Sequence, residues 1–284
     1  MSRAVVLPET MDGLWDALDR TPGARIYAGG TDLLVALRAG AIDPPALICL
    51  ERLAALQGIR DDGDHIRIGA ATPLALILED PRINRDLPVL AAAVGGLGSP
   101  LIRRIGTLGG NICTASPAGD TLPPLTVLGA VVELSTRHGA RRMPLSDFIT
   151  GPGSTALAPD ELLAAVHIPK PTAFTLQHFE KVGRRSALAC AVASMAALVG
   201  FGDDDRVASV RLAWGSVGPT VVTAPAAESI LTGARLDAAV LTQAAEAVRA
   251  AVSPIDDVRA GAGYRRQVAG NLLLRLAGKG ARRG

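Results

Sequence analysis

Two glycine-centred segments constrain this chain more than any other feature of its sequence. The first reads Ala28-Gly29-Gly30-Thr31-Asp32-Leu33 and the second reads Thr107-Leu108-Gly109-Gly110-Asn111. The first runs directly into a predicted helix, whose free N–H groups and positive dipole end favour an anion such as a pyrophosphate. Two ordinary tight turns that need a positive φ would give the same pattern. Neither segment matches the Rossmann or the P-loop pattern.

The second segment lies in a stretch that is rich in residues that interrupt helices and strands. Residues 95–124 contain seven glycines and four prolines, with little helical or strand periodicity. An irregular region of this length inside a compact domain is usually functional or disordered. Disorder is disfavoured because the stretch also carries apolar side chains that suit a core, at Leu101, Ile102, Ile105, Leu108 and Ile112. We therefore expect an ordered, functional loop region.

Length and charge exclude several classes of protein. The 284 residues predict about two domains, and 49% apolar with 20% charged residues is a globular composition. The net charge is +2 and no run of Lys and Arg exceeds two residues, which is unlike a nucleic-acid-binding or polybasic membrane-binding protein. The longest uncharged runs, such as residues 186–202, are shorter than the roughly 20 residues that span a bilayer, so no membrane span is expected.

The cysteines and the N-terminus both predict a cytoplasmic protein. Cys49, Cys113 and Cys190 lack the close pairs of structural zinc or iron–sulfur sites, so we expect free, mostly buried thiols and no metal held by this chain. The apolar stretch before Pro8 is too short for a signal peptide. The four histidines are scattered along the chain, and surface positions are expected for them.

Apolar periodicity predicts an α+β chain with a boundary near residue 171. Before it, helices are predicted at 11–18, 32–38, 72–79 and 87–94, and strands of a mixed sheet at 24–28, 46–50, 57–60, 65–69, 130–136, 142–145 and 161–168. The prolines of Pro169-Lys170-Pro171 predict a linker. Beyond it, an antiparallel sheet backed by helices is expected, with strands at 174–182, 188–201 and 207–217 and helices at 224–231, 236–252 and 262–276.

Read together, AGGTDL at 28–33 and TLGGNICTASPAGD at 107–120 resemble the FAD-binding medium subunit of the molybdenum hydroxylases, the family of xanthine dehydrogenase and aerobic carbon monoxide dehydrogenase. The resemblance continues through IPKP at 168–171, EKVGRRSALACAVASMA from Glu180 and DVRAGAGYRRQVAGNLLLRL from Asp257. It implies a two-subdomain FAD-binding domain of the p-cresol methylhydroxylase (PCMH) type at residues 1–171, with subdomains at about 1–55 and 56–171. A C-terminal domain of the same family follows at residues 172–284.

The resemblance also implies a set of cofactor contacts. The residues that wrap the FAD pyrophosphate are Ile26, Tyr27, Ala28, Gly29, Gly30, Thr31, Asp32 and Leu33. The second cradle consists of Thr107, Gly109, Gly110 and Asn111. Thr114 is placed near the isoalloxazine ring, Asp120 at a polar part of the cofactor, and Leu97 and Leu163 along its apolar lining. Ordinary core positions would suit the two leucines equally well.

The sequence leaves more than one role open for Asp120, Asp32 and Lys181. An ionised Asp120 has only acceptors to offer and suits a ribityl or ribose hydroxyl, but it can also cap the helix that follows it. A carboxylate beside a pyrophosphate repels it unless it points toward the helix N-terminus or a neighbouring hydroxyl. For Asp32 the capping role is favoured, with its backbone N–H toward the phosphates. Lys181 either reaches the flavin, where a cation stabilises the anionic reduced ring, or is a solvated strand lysine.

The function that the resemblance implies is electron transfer. FAD on this chain would receive electrons from a [2Fe–2S] cluster on a small partner subunit and pass them to an external acceptor, while a molybdopterin on a large partner subunit oxidises the substrate. No catalytic acid or base is expected here, and the assembly implied is a dimer of heterotrimers. Carbon monoxide dehydrogenases of the family carry AGGHSL in the first segment, so Thr31-Asp32 favours a purine, an aldehyde or an N-heterocycle as substrate.

Two other functions remain as alternatives to electron transfer. A stand-alone flavin oxidase of the vanillyl-alcohol oxidase class would need a substrate pocket with general-base groups and is usually a far longer chain. A scaffold subunit that has lost its cofactor would show damaged glycine segments, whereas both are intact here.

Overall fold

The computed structural model describes residues 4–279, which fold as a mixed helix-and-sheet, α+β protein. The first elements are β1 (Ala4–Val6), α1 (Met11–Arg20), β2 (Arg25–Tyr27), α2 (Leu33–Arg38) and β3 (Ala46–Cys49), followed by a short 3-10 helix at Ala54–Leu56. The next group is β4 (Ile59–Asp61), β5 (His65–Gly69), α3 (Leu74–Glu79), α4 (Pro81–Asp86), α5 (Pro88–Gly96), α6 (Pro100–Ile105), α7 (Leu108–Thr114), α8 (Leu122–Val127), β6 (Val131–Ser135), β7 (Ala140–Pro144), α9 (Leu145–Phe148), β8 (Ile149–Gly151), β9 (Ser154–Thr155) and β10 (Leu162–Pro169). The last elements are β11 (Leu176–Gly183), β12 (Ala191–Phe201), β13 (Val207–Gly215), β14 (Val222–Thr223), α10 (Pro225–Leu231), α11 (Ala238–Ala251) and α12 (Ala262–Leu274).

The strands before residue 171 form separate sheets and not the single mixed sheet that the sequence predicts. β1, β3 and β2 make a small parallel sheet with β3 in the middle. β4, β5, β10, β6 and β7 make an antiparallel sheet in that order. The central strand β10 is buried from Leu162 to Ile168, because it is paired on both edges and covered on both faces. β8 and β9 form a separate pair.

The glycine- and proline-rich stretch is ordered, but the expectation that it is a loop region is wrong. It contains the end of α5 and the short helices α6, α7 and α8. Ser99 caps α6 by accepting a hydrogen bond from the N–H of Ile102 at 3.2 Å, and Thr107 caps α7 in the same way from Gly110 at 3.1 Å. Six or seven residues make fewer than two helical turns, so an apolar period cannot develop in the sequence.

The C-terminal elements form a four-stranded antiparallel sheet, β11-β12-β13-β14, backed by α10, α11 and α12. β12 is buried from Ala191 to Gly200, because it pairs with β11 and β13 and has both faces covered. The indole N–H of Trp214 on β13 donates to the carbonyl of Ala269 on α12 at 3.0 Å. The antiparallel sheet with helices that the sequence predicts is therefore confirmed.

Several single-residue expectations are wrong. Cys49 is buried, but Cys113 and Cys190 are exposed, so the thiols are not mostly buried. His167 is 6% exposed on the central strand β10, so it is not a surface histidine. Cysteine and histidine are rare in this chain and only weakly apolar, so they form no periodic pattern. Whether one of them faces the core or the solvent therefore cannot be predicted from the sequence. Within residues 4–279, no helix has the length and apolar character needed to cross a membrane.

A buried arginine anchors the last helix, in the segment from Asp257 that carries part of the family resemblance. Arg265 is 1% exposed, pairs with the carboxylate of Asp257 and donates to the carbonyl of Ser216 at 2.9 Å. Arg259 binds the same carboxylate at 2.6 Å. Hydrogen bonds from Arg259, and then from Arg265, hold the pKa of Asp257 well below its usual range.

We predict that Asp257→Asn destabilises the protein at pH 7 and that the difference from the parent is smaller at pH 3. A lowered carboxyl pKa contributes stability above the unfolded pKa of about 4 and loses it as pH falls toward the folded value. Urea unfolding at the two pH values measures this effect. The control is Asp160→Asn, which changes an exposed aspartate. A destabilisation that is equal at both pH values would contradict the ion-pair explanation.

Candidate functional site

The first glycine segment packs directly against Ile105 and Gly106, the two residues that precede the second segment. A Cβ atom at Gly29 would lie 1.7 Å from the carbonyl oxygen of Ile105, so only glycine permits this approach. Thr114, at the end of α7, places its hydroxyl 2.7 Å from Oδ2 of Asp32, at the start of α2. The start of α2 therefore lies against the end of α6 and the end of α7.

The first segment offers a run of backbone donors. Gly30 has φ +69°, and the chain then enters α2 with Asp32 at the N-cap position. The amides of residues 29–33 have no acceptor among residues 4–279. Unpaired N–H groups at a helix start form a ready anion site, and a pyrophosphate oxygen is a suitable acceptor for them.

Asp32 has a different role from the expected helix cap. Its side chain makes no capping hydrogen bond. Instead, its carboxylate accepts from the Thr114 hydroxyl, because α7 comes within hydrogen-bond distance of the start of α2. The consequence is that Asp32 joins the start of α2 to the end of α7 and leaves the backbone N–H groups of residues 29–33 free.

The strand residues before this turn are less directly available. Ile26 and Tyr27 lie on β2, paired with β3, and Ala28 accepts a hydrogen bond from the Cys49 thiol at 4.0 Å. Burial and the neighbouring Cys49 raise the pKa of Tyr27 to about 12, so its phenol is neutral at physiological pH. Thr31 and Leu33 are half-buried at the start of α2.

The second segment differs from the first because its amides are already used. Leu108 donates to the carbonyl of Thr72 at 3.3 Å, and Gly109 donates to that of Ala70 at 2.9 Å. Gly110 donates to the Thr107 hydroxyl at 3.1 Å. The expected second cradle of free amides is therefore absent from Leu108 to Gly110. Asn111 is also engaged, since its Oδ1 accepts from the buried Thr121 hydroxyl at 2.6 Å.

The adjacent glycines 109 and 110 have different reasons to be glycine. A Cβ atom at Gly109 would lie 2.6 Å from Cβ and 2.7 Å from the carbonyl oxygen of Ala70. At Gly110 it would meet only the Thr107 hydroxyl, at 3.0 Å, and this glycine is exposed. Gly109 therefore serves the packing of α7, whereas Gly110 keeps the outer face of the helix start open.

Asp120 and Lys181 form a buried ion pair near the ends of α5 and β11. Lys181 Nζ lies 2.5 Å from Oδ2 of Asp120, 2.8 Å from the carbonyl of Gly96 and 3.1 Å from that of Ala189. An ammonium group has three donors, so these partners use all of them. Lys181 is thus not a solvated strand lysine, and it positions Asp120.

The second oxygen of Asp120 is the most distinctive atom of the site. Asp120 is 6% exposed, and its Oδ1 has no hydrogen-bond partner. Burial raises the pKa of this carboxyl, against the lowering by Lys181. The helix-cap interpretation is wrong, because α8 begins after Thr121 and no side chain caps it. An unpartnered buried oxygen is uncommon in proteins and fits a ligand that donates a hydrogen bond.

The remaining expected contacts divide between surface and core. Leu97 is half-buried after α5, whereas Leu163 is 3% exposed and packs in the central core. Lys181 also lines a cavity of about 450 Å³ formed by residues 181–187 and Ala189. The contact of Ile105 with Gly29 could not be predicted from the sequence, because it depends on two distant parts of the chain meeting.

We predict that Gly109→Ala lowers the free energy of unfolding by about 1–3 kcal/mol, the usual cost of overpacking a core. Gly110→Ala, its matched control, is expected to change it by less than about 1 kcal/mol, because alanine favours a helix and meets only one side-chain atom. Urea denaturation of the two variants measures both values. Equal losses would contradict the division of roles between these glycines.

Comparison with known proteins places the chain in a family. The family model described as the FAD binding domain in molybdopterin dehydrogenase matches residues 1–171. The model described as the CO dehydrogenase flavoprotein C-terminal domain matches residues 177–279. The two models account for both sheet-containing halves of the chain.

Individual relatives agree with this assignment. The chain is 33% identical over 266 residues to the xanthine dehydrogenase FAD-binding subunit of Escherichia coli O157:H7, covering 93% of this chain and 89% of that protein. It is 34% identical over 235 residues to the nicotinate dehydrogenase FAD-subunit of Eubacterium barkeri, covering 81% and 79%. A chain of reconstituted CO dehydrogenase from Oligotropha carboxidovorans matches with a TM-score of 0.90 at 30% identity, covering 97% and 96%. The protein therefore belongs to the FAD-binding medium subunits of the molybdenum hydroxylases, a family of oxidoreductases.

Proposed function

We propose that this chain is the electron-transfer subunit of a cytoplasmic molybdenum hydroxylase. Its FAD takes electrons from a [2Fe–2S] cluster on a small subunit and delivers them to an external acceptor, in a dimer of heterotrimers with a large molybdopterin subunit. The support is the family assignment together with two complementary features of the chain. These are the unpartnered donors of residues 29–33 and the unpartnered acceptor Oδ1 of Asp120.

The residues present fit FAD. Bound FAD supplies one- and two-electron redox chemistry. The amides of residues 29–33 would hold its pyrophosphate, and the positive end of the α2 dipole adds to this attraction. Thr114 keeps Asp32 turned away from that anion by hydrogen-bonding its carboxylate. Oδ1 of Asp120 would accept from a cofactor hydroxyl, while Lys181 holds the carboxylate in place.

The second glycine segment contributes shape more than donors. Gly109 lets α7 pack on Ala70, and Gly110 leaves room on its outer face. Thr107, Asn111, Leu97 and Leu163 are assigned to the walls of the site, and Ile26, Tyr27, Ala28 and Leu33 to the backbone that carries the first segment. Residues 1–171 are assigned to the FAD-binding domain and residues 172–284 to the domain that covers it.

The substrate class belongs to the same proposal. Thr31-Asp32 stands where carbon monoxide dehydrogenases of the family carry His-Ser, and Asp32 is held here by Thr114. This difference favours a purine, an aldehyde or an N-heterocycle over carbon monoxide. Substrate-dependent turnover of the assembled enzyme with each class tests the assignment, and activity with carbon monoxide alone would overturn it.

Exposed apolar side chains beside the site supply a surface for the small subunit. Leu101 and Ile105 on α6 are 76% and 53% exposed, and Leu76 on α3 is 50% exposed. α3 packs on α6, and Ile105 touches the first glycine segment. Electron tunnelling requires a short path, so docking the iron–sulfur subunit here would bring its cluster near the flavin.

We predict that Asp120→Asn weakens FAD binding by about 1–3 kcal/mol. An amide removes the charge of the ion pair and has only one acceptor oxygen, which cannot serve both Lys181 and a cofactor hydroxyl. The bound flavin per chain and its dissociation constant, from absorbance and fluorescence titration, measure the effect. The control is Asp80→Asn, a carboxylate with an 11% exposed side chain that pairs with Arg82 at the start of α4. Loss of stability with unchanged FAD affinity in the Asp120 variant would remove this residue from the site.

We also predict that the isolated chain, loaded with FAD but free of its partners, reduces no dye with purines, aldehydes or N-heterocycles. The residues of the proposed site bind the cofactor and include no general base for substrate oxidation. A dye-reduction assay with and without the partner subunits tests this. Substrate-dependent dye reduction by the isolated chain would contradict the electron-relay role.

A further inference from the structure

Two histidines and an aspartate meet where β5 pairs with β10 in the five-stranded sheet. His65 begins β5, His167 lies on β10, and Asp62 lies in the turn between β4 and β5. His167 is paired with Arg67, two residues beyond His65, so both imidazoles project from the same face of the sheet. One ligand atom from each of the three side chains lies within 4.8 Å of the other two. The imidazole centroids are 5.3 Å apart.

His167 has an unused nitrogen inside this cluster. Its side chain is 7% exposed, and its Nε2 lies 2.8 Å from Oε2 of Glu133. Its Nδ1 has no hydrogen-bond partner. Since Glu133 occupies one nitrogen, the other is the one that can coordinate an ion. A buried imidazole nitrogen without a partner is rare and requires an explanation.

The second imidazole has the same kind of support. Nδ1 of His65 lies 2.6 Å from Oδ1 of Asp64, and its Nε2 lies 3.4 Å from Oδ2 of Asp62. Each histidine therefore has a carboxylate on one nitrogen, Asp64 or Glu133, and a second nitrogen left for the cluster. Metal-bound histidines show this pattern, because the outer carboxylate fixes the ring and makes the ligating nitrogen more basic.

We propose that Asp62, His65 and His167 form a binding site for Zn²⁺ or a similar divalent transition-metal ion. Two imidazole nitrogens, one carboxylate oxygen and a water complete the tetrahedral set that zinc prefers. Ca²⁺ and Mg²⁺ prefer oxygen ligands, so this donor set disfavours them. The ion would join the β4–β5 hairpin to the central strand β10.

The surrounding charges are compatible with this site. Arg60 donates to both oxygens of Asp62, from Nε to Oδ1 at 2.6 Å and from Nη2 to Oδ2 at 3.2 Å. Arg142 donates to Oε2 of Glu133 at 2.8 Å. Each carboxylate oxygen has a second lone pair, so coordination does not require these contacts to break. The site differs from the cysteine-based ones that the sequence excludes, because cysteine spacing carries no information about a histidine–carboxylate set.

The test is a titration of the tag-free full chain, stripped with a chelator, by ZnCl₂ in a calorimeter and by CoCl₂ in an absorption spectrometer. We expect one ion per chain and the visible absorption bands of tetrahedral cobalt. His65→Gln and Asp62→Asn, at side chains about a quarter exposed, should lower the affinity at least tenfold. His138→Gln, an exposed histidine in another turn, is the matched control and should leave it unchanged.

Asp64→Asn separates a metal site from a plain hydrogen-bond network. The Asp64 side chain is 91% exposed, so its loss should leave the melting temperature of the metal-free chain unchanged. As the outer partner of His65 it should nevertheless weaken zinc binding about 10–100-fold. The proposal is overturned if no one-to-one binding occurs, or if His65→Gln and Asp64→Asn bind zinc as tightly as the parent. Neither result depends on flavin, so the proposed function is tested separately.

Discussion

The close contact between Gly29 and the carbonyl of Ile105 is the constraint on which the site depends. It brings the start of α2 against the α6–α7 corner, at a separation that no side chain at Gly29 would permit. The hydrogen bond between Thr114 and Asp32 then fixes the end of α7 relative to the start of α2. Because Asp32 is occupied in this way, its carboxylate does not cap α2 and the amides of residues 29–33 remain available.

The ion pair of Lys181 and Asp120 also holds one polar group in place and leaves another available. Lys181 uses its three donors on Asp120, Gly96 and Ala189, which connects β11 of the C-terminal domain to the N-terminal part of the chain. This leaves one oxygen of Asp120 buried and unpaired. A protein that stabilised only its own fold would pair that oxygen or expose it. Its state is best explained by a ligand whose donor completes it.

Much of the fold was predictable from the sequence, because long elements repeat their apolar pattern several times. The helices α1, α11 and α12 and the strands β10 to β13 were predicted within a few residues of their observed bounds. The short helices α4, α6 and α7 were missed, since fewer than two turns give only a weak period. The equally short α2 and α3 were predicted with the help of the threonines that precede them, Thr31 and Thr72. The three-stranded and five-stranded sheets were merged into one, because strand pairing depends on contacts that no local pattern encodes.

The sequence identified the segments of the proposed site, but it did not indicate the role of each residue within them. Gly109 and Gly110 are identical in sequence terms, and only the position of Ala70 separates their roles. The ion pair of Lys181 with Asp120 joins residues 61 positions apart. The buried His167 lies on a strand whose apolar run conceals it, and its partners Asp62 and His65 are about a hundred residues away in the sequence.

The claim that this chain relays electrons is tested most directly by rapid-mixing absorption spectroscopy of the assembled enzyme. Substrate is mixed with the complete complex, and with a complex whose small subunit lacks its [2Fe–2S] cluster. We predict rapid bleaching of the flavin absorption in the complete complex and almost none in the complex without the cluster, with equal FAD content in both. Flavin reduction at the same rate without the cluster would contradict it.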